Sequence, residues 1–430
     1  MSEPEHRSPG IGRVLDAVWR MESARITGAL ARMLRDVGLA EEVAQDAMLQ
    51  ALESWPGGGV PERPGAWLMQ VAKHRALDHL RQRALHAARE GELSREFDEQ
   101  LRAGQRQPDE VATLALERAG AIDDDVLRLV FVACHPVLSG EARAALTLKM
   151  VGGLSTLEIA RAFLVPEATV AQRIVRAKRA LQAARVPFEV PSGLERKPRL
   201  ASVLQVIYLI YNEGYAASAG ADWLRPALCR EALRLGRVLA ELMPDEGEVH
   251  GLVALMEIQS SRERARTGPN GEPVLLLDQD RSRWDRLLIR RGLEALERAA
   301  GQGALGPYAL QAAIAACHAR ALTPDATDWV RIAALYDALA QLMPSPVVEL
   351  NRAVAVGMAY GPAEGLALVD GLMDEPSLRQ YHLLPSVRGD LLGKLGRHAE
   401  ARAAFRRAAG LTRNERERAL LLGRAEAAGT

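Results

Sequence analysis

The chain has 430 residues, enough for two to four domains with buried cores, and its basic and acidic residues balance to a formal net charge of zero. That balance excludes a uniformly basic or acidic protein, so a polyanion-binding site has to be sought in individual segments. Only 4% of the residues are aromatic, while alanine, leucine, arginine and glutamate dominate. This composition favours an all-α fold, because these residues are good helix formers and poor strand formers.

Cysteine usage and the N-terminus indicate the compartment. The three cysteines, Cys134, Cys229 and Cys317, are far apart and odd in number, which excludes a disulfide framework. The first ten residues, MSEPEHRSPG, lack the apolar core of a signal peptide, and no apolar stretch reaches the length of a membrane span. We therefore expect a cytoplasmic protein that does not contact a membrane.

The segment from residue 14 to about residue 82 has helical periodicity. Its second predicted helix, EEVAQDAMLQALESW, begins at Glu41. Four apolar residues are predicted to face inward: Val43, Ala47, Leu49 and Leu52. Four polar residues are predicted to face outward: Glu41, Glu42, Gln45 and Asp46. An acidic face of this kind is most often simply solvated.

A Pro/Gly-rich loop, PGGGVPERPG, follows and leads into a basic helix that starts near Ala66. The predicted buried stripe of this helix is Leu68, Val71, Ala72, Ala76 and Leu80. Between Trp67 and Arg89, five lysines and arginines stand against one aspartate, a local charge of about +4. A basic helix beside a loop indicates a nucleic-acid contact.

The segment from Gly152 to Gln182 predicts two short helices joined by a tight turn. Ser155 and Glu158 have the spacing of a capping box, and Pro166 suits the first turn of the second helix. The buried stripe of the second helix is Val170, Ile174, Ala177 and Leu181, which leaves the opposite face polar and basic: Thr169, Gln172, Arg173 and Arg176. This pattern is typical of a helix-turn-helix with its recognition helix. An ordinary helical hairpin with a solvated basic face is the alternative.

These blocks together resemble bacterial extracytoplasmic-function sigma factors. The resemblance rests on the acidic helix AEEVAQDAM, the Pro/Gly loop, the helix WLMQVAKHRALDHLRQR and the later GLSTLEIA and ATVAQRIVRAKRAL, in that order. It places sigma region 2 at 10–83, a linker at 84–110 and sigma region 4 at 111–185. His74 and Met48 depart from the residues common in that family.

The resemblance implies a role for each matching residue. Core RNA polymerase would be bound at the clamp of its largest subunit by Glu42, Gln45 and Asp46, and at the flap of its second-largest subunit. The loop from Trp55 to Gly65 would hold a base flipped from the −10 element. Other −10 contacts are assigned to Trp67, Lys73, Arg75 and Arg81, although Trp67 on its own is more typical of a core residue. The −35 contacts are assigned to Thr169, Gln172, Arg173, Arg176 and Arg179, with Arg179 on phosphates.

Beyond a predicted linker at 186–199, the chain predicts a tetratricopeptide-like helical array over 200–430. Two similar stretches, starting at Leu239 and Leu339, each predict a helix, a Met-Pro turn and a second helix. The stretch from Arg388 to Leu411 resembles a tetratricopeptide repeat through its small and large packing positions: Gly389, Leu392, Gly396, Ala401, Phe405 and Ala408.

Aspartates and arginines alternate between Leu275 and Gly292: Asp278, Asp280, Arg281, Arg283, Asp285, with Trp284 among them. The aspartates could be metal ligands or acid/base groups, but the arginines neutralise them and no nucleophile is nearby. A loop that locks two hairpins, or an interdomain salt-bridge network, fits better. Cys134–His135 and Cys317–His318 lack metal-ligand spacing and are predicted to be structural.

The leading hypothesis is a sigma factor that binds core RNA polymerase and promoter DNA, with no catalytic residue, cofactor or metal. The resemblance extends to sigma factors with a C-terminal tetratricopeptide-like extension, which is expected to regulate activity by docking within the chain or on a protein partner. A helix-turn-helix activator or repressor with a ligand-sensing array is the second hypothesis. An enzyme or ligand-binding protein centred on the C-terminal aspartates is the third.

Overall fold

A computed structural model describes residues 9–89, 119–163, 165–216, 224–269 and 271–428. These residues form helices and loops without any β-strand, apart from one isolated bridge between Thr267 and Pro273, which confirms the prediction of an all-α fold. They fall into two compact units, Met1–Val206 and Ile207–Thr430. Within the described ranges, no helix combines the length and apolarity that a membrane span requires. Most of the linker predicted at 84–110 lies outside the described residues.

The first unit is built from α1 (Pro9–Leu34), α2 (Val37–Gly58), α3 (Pro64–Arg89), α4 (Ala119–Ala133), α5 (Gly140–Met150), α6 (Thr156–Phe163) and α7 (Glu167–Ala183). The next helix, α8 (Arg196–Tyr215), begins inside the segment predicted as a linker and contains the boundary between the two units. In its first half, Ser202 donates to the carbonyl of Cys134 at 2.6 Å, and Arg199 donates to the carbonyl of Phe131 at 2.9 Å. Residues just beyond the helix-turn-helix therefore pack against α4.

The first three helices share a core that contains the fully or nearly fully buried Ile26, Leu30, Trp55 and Leu68. Asp36 begins α2 by accepting the N–H of Leu39 at 3.0 Å, the usual role of an N-cap aspartate.

The predicted orientation of α2 is partly wrong. Leu49 and Leu52 are 56% and 43% exposed, whereas Glu41 is only 5% exposed. The stripe that faces the core consists of small residues with one aromatic at its end: Ala40, Val43, Ala44, Ala47, Ala51 and Trp55. This stripe has strict helical spacing, so it determines which side of α2 packs inward and turns both leucines outward.

The second unit consists of paired helices: α9 (Pro226–Leu242), α10 (Gly247–Ser260), α11 (Arg286–Gly301), α12 (Pro307–Arg320), α13 (Trp329–Leu342), α14 (Pro346–Tyr360), α15 (Pro362–Gly371), α16 (Leu383–Lys394), α17 (His398–Leu411) and α18 (Glu415–Ala427). The two predicted helix, Met-Pro turn, helix motifs are present, because Met243 ends α9 and Met343 ends α13. Buried clusters run along the described part of this unit, as expected when each pair stacks on its neighbours.

The contact predicted between a small and a large position is present in α16 and α17. Phe405 is buried, and a Cβ added at Gly389 would lie only 3.0–3.1 Å from its ring. Ala401 and Ala408, one turn to each side of this ring, are also fully buried. The absence of a side chain at residue 389 is therefore what allows the two helices to approach.

We expect Gly389→Leu to destabilise the second unit by about 1–3 kcal/mol, because the new side chain overpacks the Phe405 contact. Gly393→Leu is the matched control, since it lies in the same helix with no atom near its Cβ position and gains the same helix propensity. Thermal unfolding of both variants by calorimetry measures the difference. Equal midpoints would show that the Gly389 contact does not limit packing.

Candidate nucleic-acid interface

The helix-turn-helix predicted at Gly152–Gln182 is formed by α6 and α7. Ser155 and Glu158 cap α6 reciprocally: the N–H of Glu158 donates to the Ser155 hydroxyl at 3.1 Å, and the N–H of Ser155 donates to the Glu158 carboxylate at 2.8 Å. Burial alone would raise the pKa of Glu158, but these bonds and the nearby guanidinium of Arg20 lower it overall. The entry to α6 is therefore fixed by residues adjacent in sequence.

The second helix, α7, buries its predicted stripe and exposes the opposite side. Gln172, Arg176 and Arg179 are exposed, and Thr169 is half-buried. Arg173 is half-buried as well and pairs with Glu141 of α5 at 2.6 Å. Of the residues predicted to contact the −35 element, Gln172, Arg176 and Arg179 are therefore the ones presented to solvent.

Sequence reasoning missed Val175, which is 46% exposed on the same face of α7. Its position, three residues after Gln172 and four before Arg179, places it between them on a helix surface. An exposed apolar side chain on a reading helix suits contact with the methyl group of thymine. The helical spacing alone would have identified this residue.

The basic helix α3 holds several of its predicted DNA-binding groups against the protein. Trp67 is half-buried and meets the buried Trp55 edge to face, with ring centroids 5.7 Å apart. Arg75 donates to the side chain of Gln50 at 3.2–3.3 Å and pairs with Asp46 at 3.4 Å. Arg81 is exposed beside Asp78 at 3.2 Å, and Lys73 is half-buried. Trp67 therefore has a packing role whatever else it does.

The residues assigned to polymerase binding lie along one face of α2. Glu42 is exposed, and Gln45 and Asp46 are half-buried. Leu49 and Leu52 continue the same face at helical spacing and project into solvent. The outward face of α2 is therefore mixed, acidic at its start and apolar towards its end.

The segment Asp278–Asp285 forms a locking loop inside the second unit. Asp285 caps α11 by accepting the N–H groups of Leu287 and Leu288 at 2.9 and 3.1 Å, and Asp280 accepts two bonds from Ser282. Trp284 is buried in the core, whereas Asp278 and Arg283 are exposed. Asp280 and Asp285 therefore cap the N-termini of the helices that follow them, which agrees with the interpretation as a loop that locks two hairpins.

Arg281 fixes this loop from inside. It is almost fully buried and donates to the carbonyls of His318 and Ala321 at 2.9 and 2.6 Å and to the hydroxyl of Thr327 at 3.0 Å. Burial, together with nearby arginines, lowers the pKa of His318 to about 4, so its imidazole is neutral at physiological pH. Through these three bonds, the guanidinium of Arg281 joins the Asp278–Asp285 segment to the end of α12 and to the loop that follows α12.

The buried thiols have no sign of activation. Burial raises the pKa of Cys134 to about 11 and that of Cys229 to about 12, so both thiols stay protonated at neutral pH. Cys134 contacts the hydroxyl of Thr147 at 3.3 Å and lies in the core of the first unit. In the described ranges, no group of three or more His, Cys, Asp or Glu residues is placed to hold a metal ion.

Known families match the chain in three consecutive blocks. Residues 19–85 match Sigma-70 region 2, and residues 128–181 match Sigma-70, region 4. Residues 199–300 match a family of unknown function, DUF6596. The first two blocks contain α2, α3 and the helix-turn-helix, and the third contains the start of the helical extension.

Individual relatives agree with these matches. An uncharacterized protein of Rhizobium meliloti strain 1021 is 46% identical over 396 residues, which cover 92% of this chain and 91% of that protein. The probable ECF RNA polymerase sigma factor SigI of Mycobacterium tuberculosis is 25% identical over 182 residues, covering 42% of this chain and 59% of the relative. The ECF RNA polymerase sigma factor SigW of Bacillus subtilis is 27% identical over 155 residues, 35% of this chain and 78% of the relative.

A match to sigma region 2, followed by a match to sigma region 4 that contains the helix-turn-helix, defines a transcription factor of the sigma class. The chain belongs to the extracytoplasmic-function sigma factors of the sigma-70 family and carries a helical extension beyond the sigma regions. This family binds core RNA polymerase and promoter DNA and is not an enzyme family. A conventional activator or repressor is not favoured, because region 2 is present.

We expect Arg281→Met to destabilise the second unit by about 3 kcal/mol, because methionine keeps much of the buried chain but leaves buried acceptors at His318, Ala321 and Thr327 without their donor. Arg283→Met, two residues away and exposed, is the control and should be nearly neutral. Chemical denaturation followed by far-UV circular dichroism measures both. Similar losses in the two variants would mean that Arg281 does not lock the loop.

Proposed function

We propose that this sigma factor docks on the clamp of the largest polymerase subunit through the outward face of α2. The apolar residues Leu49 and Leu52 form the centre of that face, and Glu42 and Asp46 form its charged rim. An apolar centre within a polar rim is the usual organisation of a specific protein interface. The exposure of both leucines on an otherwise well-packed helix is the observation that carries this proposal.

The −35 element is read in the major groove by α7. Gln172 is suited to adenine, Val175 to the thymine methyl group and Arg176 to guanine, while Arg179 contacts phosphate. Arg173 supports the helix from the side through Glu141 and contributes less to base reading. Region 4 also contacts the flap of the second-largest subunit.

The −10 element is bound by the loop between α2 and α3 and by the start of α3. Gly57 and Gly58 at the end of α2, and Gly59 and Val60 in the loop, are exposed, so a flipped base can approach the backbone closely. Trp55 and Trp67 pack beneath it and fix the ends of the two helices. Lys73 and Arg81 neutralise the adjacent phosphates.

The extension beyond residue 207 modulates sigma activity in the cytoplasm, where polymerase acts, by docking within the chain or on a protein partner. Arg281, Trp284, Asp280 and Asp285 are occupied within the second unit. Docking through that segment uses its exposed side chains, among them Asp278 and Arg283.

Transcription in vitro, with core polymerase, the full-length chain and genomic DNA, tests the sigma function. Start sites that require the protein and share −35 and −10 elements are expected. Stoichiometric co-purification with core polymerase separates a sigma factor from an activator or repressor. A protein that binds DNA but never the core enzyme would contradict the proposal.

We expect Arg176→Ala to weaken binding to the −35 element about tenfold or more and to relax sequence preference at one position, because a bidentate base contact is lost. Arg173→Ala, the neighbouring arginine that is paired with Glu141, is expected to have a smaller effect. Affinities of polymerase holoenzyme for a panel of −35 variants measure both changes. Equal effects of the two variants, or loss of core binding, would place the reading face elsewhere.

We expect Leu49→Asp and Leu52→Asp to weaken binding to core polymerase by about tenfold each, because an apolar anchor at the centre of an interface is replaced by a charge. Met21→Asp on α1 is the control, since Met21 is 65% exposed and is not on the proposed face. Competition for core polymerase against a second sigma factor measures the three variants. Unchanged binding of both leucine variants would remove α2 from the interface.

A further inference from the structure

Arg173 is an arginine of α7 whose charge is already paired within region 4. Its guanidinium lies 2.6 Å from the carboxylate of Glu141, which is near the start of α5. Arg176 and Arg179 of the same helix are exposed, and within the described ranges no carboxylate lies at ion-pair distance from either of them. Arg173 therefore differs from these two neighbours in having a partner that competes with DNA for its guanidinium.

The pair presents its acid to solvent more than its base. The side chain of Glu141 is 70% exposed, whereas that of Arg173 is only 30% exposed. A phosphate that approaches this side of α7 is therefore more open to the carboxylate, which repels it, than to the guanidinium, which attracts it. The local surface contributes no net positive charge to the contact with DNA.

Local structure brings Glu141 to this position. Ser139 is the N-cap of α5 and accepts the N–H of Ala142 at 3.4 Å, which fixes where the helix begins. Glu141 follows in the first turn, where the partial positive charge of the helix N-terminus favours an acidic side chain. Because α5 packs against α7, this first turn lies beside Arg173.

Stability alone does not account for the ion pair. A pair with so exposed a carboxylate contributes little to folding, because water solvates both groups when they separate. Glu141 also keeps its favourable place at the helix N-terminus without Arg173. The pair has a larger effect on the charge of α7, since it neutralises one of the three arginines predicted to face the −35 element.

The charge of Arg173 matters for DNA of any sequence. Each cation that neutralises a phosphate adds affinity and steepens its dependence on salt. Such contacts position a protein on the duplex but carry no sequence information directly. An arginine released from Glu141 would therefore strengthen binding to DNA that lacks a −35 element, without adding a contact that identifies the promoter.

We propose that Glu141 is a positioning residue for Arg173, which holds this guanidinium away from the phosphates of DNA and so lowers the affinity of α7 for DNA without a −35 element. Base reading is then left to Gln172 and Arg176, which are exposed. The inference rests on the proposed function of α7 as the helix that reads the −35 element. It assigns to α5 a part in specificity that does not require α5 to touch DNA.

Glu141→Gln keeps the size of the side chain and removes its charge. We expect this variant to bind duplex DNA without a −35 element about threefold more tightly, both as the full-length chain and as polymerase holoenzyme, because one more cation reaches a phosphate. The slope of log affinity against log salt concentration should steepen by up to about 0.9, the value for one added phosphate contact. Fluorescence anisotropy over a salt series measures both changes. A purely structural role of Glu141 predicts weaker binding instead.

The matched control is the same substitution in an Arg173→Gln background. Most of the gain should disappear there, because the guanidinium that Glu141 holds is no longer present. Glu141→Asp retains the carboxylate, so its affinity and salt dependence should stay close to those of the unchanged protein. Far-UV circular dichroism checks that each variant retains its helices. A folded Glu141→Gln variant with unchanged or weaker binding, or an equal gain in both backgrounds, would overturn the proposal.

The same measurements separate this inference from the sigma function. A holoenzyme that starts transcription at promoters but does not respond to Glu141→Gln overturns the role of Glu141 alone. A chain that never binds core polymerase, while its own affinity for DNA rises with Glu141→Gln and not in the Arg173→Gln background, overturns the sigma function and supports the role of Glu141.

Discussion

The first unit depends on the burial of the Glu41 carboxylate beside Lys149 and Lys178, which are distant from it in sequence. A carboxylate this far from water is tolerated only when its partners are in place, so the contact couples α2, α5 and α7 into one body. Asp125 repeats the arrangement with the charges exchanged. Asp125 also has a partner in its own helix, Arg128, whereas both lysines that pair with Glu41 lie in other helices of the unit.

The same arrangement explains the surfaces that remain free. The small-residue stripe of α2 faces the core, and Glu41 at its start faces region 4. The remaining side of α2 presents Leu49 and Leu52 to solvent. On α7, Lys178 turns towards α2 while Gln172, Val175 and Arg176 stay exposed. Each of these two helices therefore packs one side within the first unit and presents another side to solvent.

The second unit is organised by a different principle. Here charged residues cap helix N-termini and connect loops: Asp285 caps the start of α11, and Arg281 binds three acceptors around the end of α12. Small residues such as Gly389 let paired helices approach, and large ones such as Phe405 fill the space between them. Several of the alternating aspartates and arginines that suggested a catalytic or docking segment instead cap helices or bind backbone carbonyls within the second unit.

The sequence by itself determined the all-α class, the capping box at Ser155, the buried stripe of α7 and the order of the two sigma regions, because these depend on spacing along one helix. It also located the Gly389–Phe405 pair through a repeat with fixed packing positions. Only the tertiary structure decided that Glu41 is buried, that Leu49 and Leu52 are exposed, and that Arg173 is paired with Glu141. Helical periodicity cannot distinguish two apolar stripes on the same helix, and it contains no information about charges more than a hundred residues away. The partners that neutralise Glu41 become visible only when the chain is folded.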